Sequence, residues 1–344
     1  MIRKSILLSL CMFLMSGALL CGCSSGEPAA EGSSADAPVA ASSSAGKAQA
    51  AKASSKTSSK QQGKGSAKKS GKVRSNKPKV LEPEASGTET YGNEFASIDA
   101  SNASEGYFMV KYTGTNKKVK LRVRGPKESE YIYLLSGSGE YETFPLPCGN
   151  GKYEVHIMEN VTGDQYALAC SADFDVTIKD KFKPFLYPNQ YANFTKDSKV
   201  IDLGKELAEG AYSDLDVIDN VYHYVTENIR YDDEKAVTVQ YGYLPDVDDT
   251  VKTKKGICFD YAAVMTSILR SQGIPTRLEV GYSGEAYHAW ISTFVKDVGW
   301  IDKIIEFDGK AWTLMDPTLA ANNSNSSVAE YIGDGSNYVL KFSY

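Results

Sequence analysis

Lys255-Gly256-Ile257-Cys258-Phe259-Asp260-Tyr261-Ala262-Ala263-Val264-Met265-Thr266-Ser267-Ile268-Leu269-Arg270-Ser271-Gln272-Gly273-Ile274-Pro275 reads as a loop, a cysteine and then a helix. Apolar residues fall at Phe259, Ala262, Met265 or Thr266, and Leu269, which is helical spacing. Gly273 with Pro275 just beyond is a stop signal. Gly256 gives the incoming backbone freedom to turn. Cys258 is therefore expected at the first helical turn, where unpaired N–H groups and the positive end of the helix dipole favour thiolate over thiol. A lone cysteine in such a place is more often a small buried hydrophobe. Cys258 has company.

Downstream, Tyr287-His288-Ala289-Trp290-Ile291-Ser292 alternates like a strand, with His288, Trp290 and Ser292 on one face. Lys310-Ala311-Trp312-Thr313-Leu314-Met315-Asp316-Pro317-Thr318 reads as a further strand that ends on a carboxylate. Thiol catalysis needs a base beside the sulfur and a group that orients the base. These segments offer all three in the order Cys, His, Asp.

The pieces Gly-Ile-Cys-Phe-Asp-Tyr-Ala, Tyr-His-Ala-Trp and Met-Asp-Pro-Thr resemble the three signature motifs of the transglutaminase-like superfamily. The resemblance runs from about Leu215 to Leu319 and keeps the family's order and spacing. It implies an α+β, papain-like catalytic domain with Cys258 as nucleophile, His288 as base and Asp316 as the orienter of that base. It also implies a thiol enzyme acting on peptide or amide bonds, by hydrolysis or by acyl transfer. A non-catalytic envelope lipoprotein that binds peptides with the same fold is the alternative.

The chain opens with Arg3 and Lys4 and an apolar run from Ile6 to Leu20, a targeting segment over residues 1–23. Leu20-Cys21-Gly22-Cys23 resembles a bacterial lipoprotein cleavage box, with Cys23 as the acylated residue. The expected location is extracytoplasmic, lipid-anchored to the cell membrane. Residues 24–88 are rich in Ala, Ser, Gly and Lys and are expected to be a disordered tether. Its mean span would be roughly 40–50 Å. Between Lys47 and Lys79 lie eleven basic residues and no acid, whereas the chain after residue 80 has 25 basic against 40 acidic residues. The whole-chain net charge of −5 hides this split. A basic tether suits an anionic membrane or wall polymer, or serves as a self-repelling spacer. An exported tether with an acidic body is a poor partner for nucleic acid.

Residues 89–182 hold short alternating segments: Gly106–Tyr112, Val119–Arg124, Tyr131–Leu135, Tyr141–Leu146, Lys152–Met158, Tyr166–Cys170 and Phe174–Ile178. Seven such strands predict an all-β sandwich of immunoglobulin-like size, acting as a spacer or binding module. His156 there reads as a packed or surface histidine. Six cysteines become three once Cys11 and Cys21 leave with the targeting segment and Cys23 is lipidated. A turn near Gly163 sets Cys170 opposite a position near Val155, which argues against a Cys148–Cys170 disulfide. No Cys-x-x-Cys and no clustered histidines are present, so no metal or other cofactor is expected.

The catalytic domain spans residues 183–344. Lys183-Pro184-Phe185-Leu186-Tyr187-Pro188-Asn189-Gln190-Tyr191 is an aromatic connector expected to pack between the domains. Ser213 and Asp216 mark a helix start, and Leu215, Ile218, Tyr222, Val225 and Ile229 give it an apolar stripe toward Tyr231-Asp232. His223 sits at its flank. Residues 233–256 read as a long loop forming one cleft wall, lined by Tyr241 and Tyr243. Trp290 is a further cleft candidate, weighed against a core role. Peptide or protein, cell-wall peptide among them, is the expected partner. The oligomeric state has no sequence signal.

Overall fold

A computed structural model describes residues 72–283, 285–302, 305–307, 312–314 and 338–344, all of them within one compact unit. Two antiparallel four-stranded sheets come first. One holds β1 (Thr90–Gly92), β2 (Ala96–Asp99), β3 (Tyr107–Tyr112) and β6 (Glu142–Pro145) in the order β1-β2-β3-β6. The other holds β4 (Val119–Arg124), β5 (Glu130–Leu134), β7 (Gly151–Thr162) and β8 (Gln165–Val176) in the order β5-β4-β7-β8. Alternation explains the packing: Val119, Leu121 and Val123 are buried, while Lys120 and Arg122 between them are not. Rings interlock between the sheets, Tyr133 with Phe144 at 4.8 Å and Phe108 with Phe174 at 6.0 Å.

The strand pattern differs from expectation in two places. β1 and β2 are three and four residues long, too short to show an alternating signal. Tyr166–Cys170 and most of Phe174–Ile178 fall in one continuous strand, β8, because Ser171, Ala172 and Asp173 between them pair with His156, Val155 and Glu154 of β7 instead of turning. A register shift between Ile157 and Met158 places Cys170 opposite Ile157, not Val155. Cys148 and Cys170 are both free thiols.

Residues 72–88 depart from the expected disordered tether. Arg74 donates Nε–H to Asp214 Oδ1 at 2.6 Å and Nη2–H to the Gln272 carbonyl at 2.7 Å. Lys79 N–H reaches the Ser271 carbonyl at 2.7 Å, Val80 packs on the core, and Glu84 N–H donates to the Tyr107 hydroxyl oxygen at 3.0 Å. Composition averaged over a long segment hides these few anchors.

The aromatic connector does join the two regions. Tyr191 meets Tyr133 of β5 at 5.6 Å and Phe259 at 5.3 Å. Gln190 donates Nε2–H to the Leu134 carbonyl at 2.6 Å.

Beyond it come α1 (Lys199–Leu207), α2 (Asp214–Asn228), β9 (Arg230–Tyr231), α3 (Asp233–Thr238), α4 (Val247–Thr253), β10 (Lys255–Gly256) and α5 (Cys258–Ser271). Ser213 and Asp216 form a reciprocal capping box at the start of α2. That helix stops at Asn228, short of the expected Tyr231, because β9 pairs in parallel with β10. The expected loop 233–256 contains two short helices. Asp232 and Asp246, which composition makes look like loop acids, are their N-caps.

Four antiparallel strands then form a sheet: β11 (Thr276–Ser283), β12 (Ala286–Val295), β13 (Gly299–Ile301) and, after β14 (Ile305–Phe307) and β15 (Trp312–Leu314), β16 (Tyr338–Ser343). Their order is β13-β12-β11-β16, with β14 and β15 paired separately. α5 packs against β11 and β12, and Phe259 through Ser271 are all buried. Its one buried cation, Arg270, donates to the carbonyls of Thr276, Tyr187 and Tyr344 at 2.9, 2.6 and 2.8 Å. Gly273 lies at φ +73° just past the helix end, as the stop signal predicts.

Candidate functional site

The start of α5 is unusual for a buried helix. Its N-cap is Ile257, a hydrocarbon in extended backbone conformation that cannot accept a hydrogen bond. Among the described residues, the Cys258 N–H has no side-chain acceptor. Asp260 supplies the other half of a capping box, with Oδ2 accepting the Ile257 N–H at 2.8 Å. Gly256 is required here for space, since a Cβ would lie 2.6 Å from the Asp260 Cβ. Its φ is not in the left-handed region, so the expected backbone freedom is not its reason.

Cys258 opens onto a narrow cleft of about 30 Å³. Ile257 and Phe259 flank it, Val280 of β11 and Tyr287, His288 and Ala289 of β12 face it, and Val239, Gln240 and Tyr243 close the remaining side. Of the chain's three histidines, only His288 lines this cleft. His156 lies on β7 with Nδ1 2.8 Å from an Arg122 guanidinium nitrogen, and burial together with that cation pushes its pKa down. His223 lies 3.3 Å from Asp219 on the flank of α2. Opposite His288 on β11 stands Gly281, where a Cβ would run into the Val339 carbonyl of β16.

Asp316 and Cys23 fall outside the described residues. Tyr243 is among the residues that line the cleft. Tyr241 does not line it and is 39 % exposed. Trp290 belongs to the core instead, 1 % exposed and edge-on to Tyr338 at 5.2 Å. Its Nε1–H donates to Glu279 Oε2 at 2.8 Å, and Ser292 Oγ donates to the same oxygen at 2.6 Å. Burial pushes the Glu279 carboxyl up against the pull of these two donors.

One cluster beside the cleft was not anticipated. Asp260 is 0 % exposed. Besides the Ile257 N–H it accepts Tyr243 O–H at 2.5 Å on Oδ1 and Lys235 Nζ–H at 2.8 Å on Oδ2. The Lys235 ammonium also sits 4.3 Å from the centre of the Tyr243 ring. The Tyr243 hydroxyl is pushed well up by burial and by the Asp260 charge. The acid two residues past the cysteine was visible in sequence, but its partner on α3 was not. Among the described residues, no group of three or more His, Cys, Asp or Glu is placed to hold a metal.

Residues 201–303 match the model of the Transglutaminase-like superfamily. The chain carries a transglutaminase-like domain. That domain includes α5, both strands of the β11–β12 hairpin and the cleft between them. UPF0252 protein MJ1282 of Methanocaldococcus jannaschii is 32% identical over 87 residues, covering 22% of this chain and 25% of that protein. The chain thus spans about a quarter of the length of this curated relative. A solved structure from Cytophaga hutchinsonii, named as a cysteine protease candidate, is 15% identical over 75% of this chain and 82% of its own, with TM-score 0.34. Red sea bream transglutaminase is 12% identical over 62% and 48%, with TM-score 0.25. Scores this low carry no argument about activity. Among the described residues, no helix is long and apolar enough to cross a membrane.

Proposed function

We propose that this chain is an extracytoplasmic, lipid-anchored thiol enzyme that hydrolyses peptide or amide bonds. Cys258 is the nucleophile, His288 the general base and Asp316 the residue that orients it, and Cys23 carries the lipid. The observation that carries the catalytic part is the shared cleft of Cys258 and His288, at a helix start whose N-cap, Ile257, offers no side-chain acceptor.

His288 takes the thiol proton, and the thiolate attacks the carbonyl carbon. The carbonyl oxygen becomes an oxyanion, for which the uncapped N–H of Cys258 is the nearest natural donor. The C–N bond then breaks, the amine leaves with the proton from His288, and a thioester remains. His288 next takes a proton from water. The hydroxide attacks the thioester, the acid departs, and thiolate and imidazolium are regenerated. Acyl transfer would need an amine to outcompete water, and so a channel that keeps water out. Trp290 and Tyr241 do not line the cleft, whereas Tyr243, Phe259 and Tyr287 do; hydrolysis is proposed because water needs no binding site of its own.

The test supplies a glutamine-containing or cell-wall-derived peptide together with a labelled primary amine. Free acid should form, amine incorporation should be the minor product, and both should vanish in Cys258→Ala. Dominant incorporation would make the chain an acyltransferase. No product from any peptide would favour a peptide-binding lipoprotein.

A further inference from the structure

We propose that Lys235 is a charge-balancing, positioning residue for the Cys258 thiolate, acting through Asp260. The proposal rests on Cys258 being the nucleophile.

A carboxylate in the first turn of a helix ordinarily complements the dipole. On α5 it brings a cost, because the sulfur two residues away must itself become negative. Side chains two apart on a helix do not face one another, so the two charges act through the low-dielectric interior and not in contact, and a group that is 0 % exposed is poorly screened by water or salt. Asp260 is nonetheless suited to its place structurally, since it takes donors from the α5 backbone, from Tyr243 and from α3 at once. A neutral asparagine could accept the Ile257 N–H equally well. What the carboxylate adds is a charge, and Lys235 places an ammonium 2.8 Å from it. The pair is neutral as a whole, so the start of α5 keeps its positive end for an anion at Cys258.

Among the described residues, the other titratable groups around the cleft do not take over this task. β12 contributes His288 and Tyr287, and the wall contributes Tyr243, whose hydroxyl is committed to Asp260. β11 contributes only Val280 to the lining. Lys255 at the start of β10 is paired with Asp232 at 2.9 Å, a couple that cancels itself.

The experiment measures alkylation of Cys258 by iodoacetamide in the full chain across pH 5–10, with the Cys258 peptide mapped by mass spectrometry. Alkylation reports the thiolate and involves no oxyanion. Lys235→Met should slow labelling at neutral pH by about tenfold, the size of a one-unit change in thiol pKa, and move the profile to higher pH. Lys235→Arg should keep the wild-type profile. The double variant Lys235→Met/Asp260→Asn should recover most of the lost rate, because it removes both charges. A double variant no better than the single one overturns the proposal, and so does a Lys235→Met loss of rate that leaves the pH profile unmoved. So does a Lys235→Met profile that matches wild type while wild-type Cys258 labels rapidly. Wild-type Cys258 labelling no faster than in the urea-unfolded chain would instead overturn the nucleophile itself, and this proposal with it.

Discussion

Trp290 on β12 and Glu279 on β11 stand directly opposite each other, and the indole N–H donates to the carboxylate across the strand pair at 2.8 Å. Ser292 donates to the same oxygen, so one buried acid fixes two side chains of the strand that carries His288. Its raised pKa means that the folded state holds the Glu279 proton more tightly than the unfolded chain does. Stability from this group is therefore fully present below the unfolded value of 4.5 and is lost as pH rises through the folded value. Glu279→Gln keeps an acceptor for both donors and cannot ionise. The Tm of Glu279→Gln minus that of wild type should grow as pH is raised from 4 to 7. A constant difference would contradict the raised pKa.

Arg270 ties three carbonyls from separate parts of the chain to the far half of α5. Replacing it with methionine keeps much of the volume and removes the Arg270 donors, although the Tyr344 carbonyl keeps the Leu278 N–H. The loss should be about 2 kcal/mol or more in urea unfolding, since each orphaned buried group costs about 1–3 kcal/mol. A loss below about 1 kcal/mol would mean that the carbonyls find other partners.

Gly281 has no room for a side chain, because the β16 backbone crosses it. Gly281→Ala should push β16 off β11 and destabilise the fold by roughly 1–3 kcal/mol. Faster amide exchange in residues 338–343, with α5 unchanged, is the signature to look for.

Arg74 is the principal polar anchor of the segment that precedes the sheets. Arg74→Ala should cost about 1–3 kcal/mol, and limited proteolysis should then cut within residues 72–80 before anywhere else.

Replacing Cys23 with serine should release the protein from the membrane fraction. Persistent association in high salt would contradict lipidation at that position.

Legibility in the sequence followed the range of the interactions. β4 and the body of α2 were readable because alternation and helical spacing are local. Cys258 and His288 were readable as cleft neighbours because their motifs come in a recognisable order. α3 and α4, six and seven residues long, show no full apolar period, and their capping acids look like loop composition. The Lys235–Asp260 pair joins residues 25 apart across a tertiary contact, which no local pattern announces. Trp290 was ambiguous for the same reason, since its partner Glu279 lies on another strand and nothing in the spacing ties the two together.

α5 also sets a direction for the whole molecule. Its 14 residues span about 21 Å. The segment arriving from residue 72 is fastened at the Ser271–Gln272 end, whereas Cys258 opens at the other. The contacts of the segment from residue 72 and the cleft thus meet α5 at opposite ends of one helix, so a change in either reaches the other only through the packed length between them.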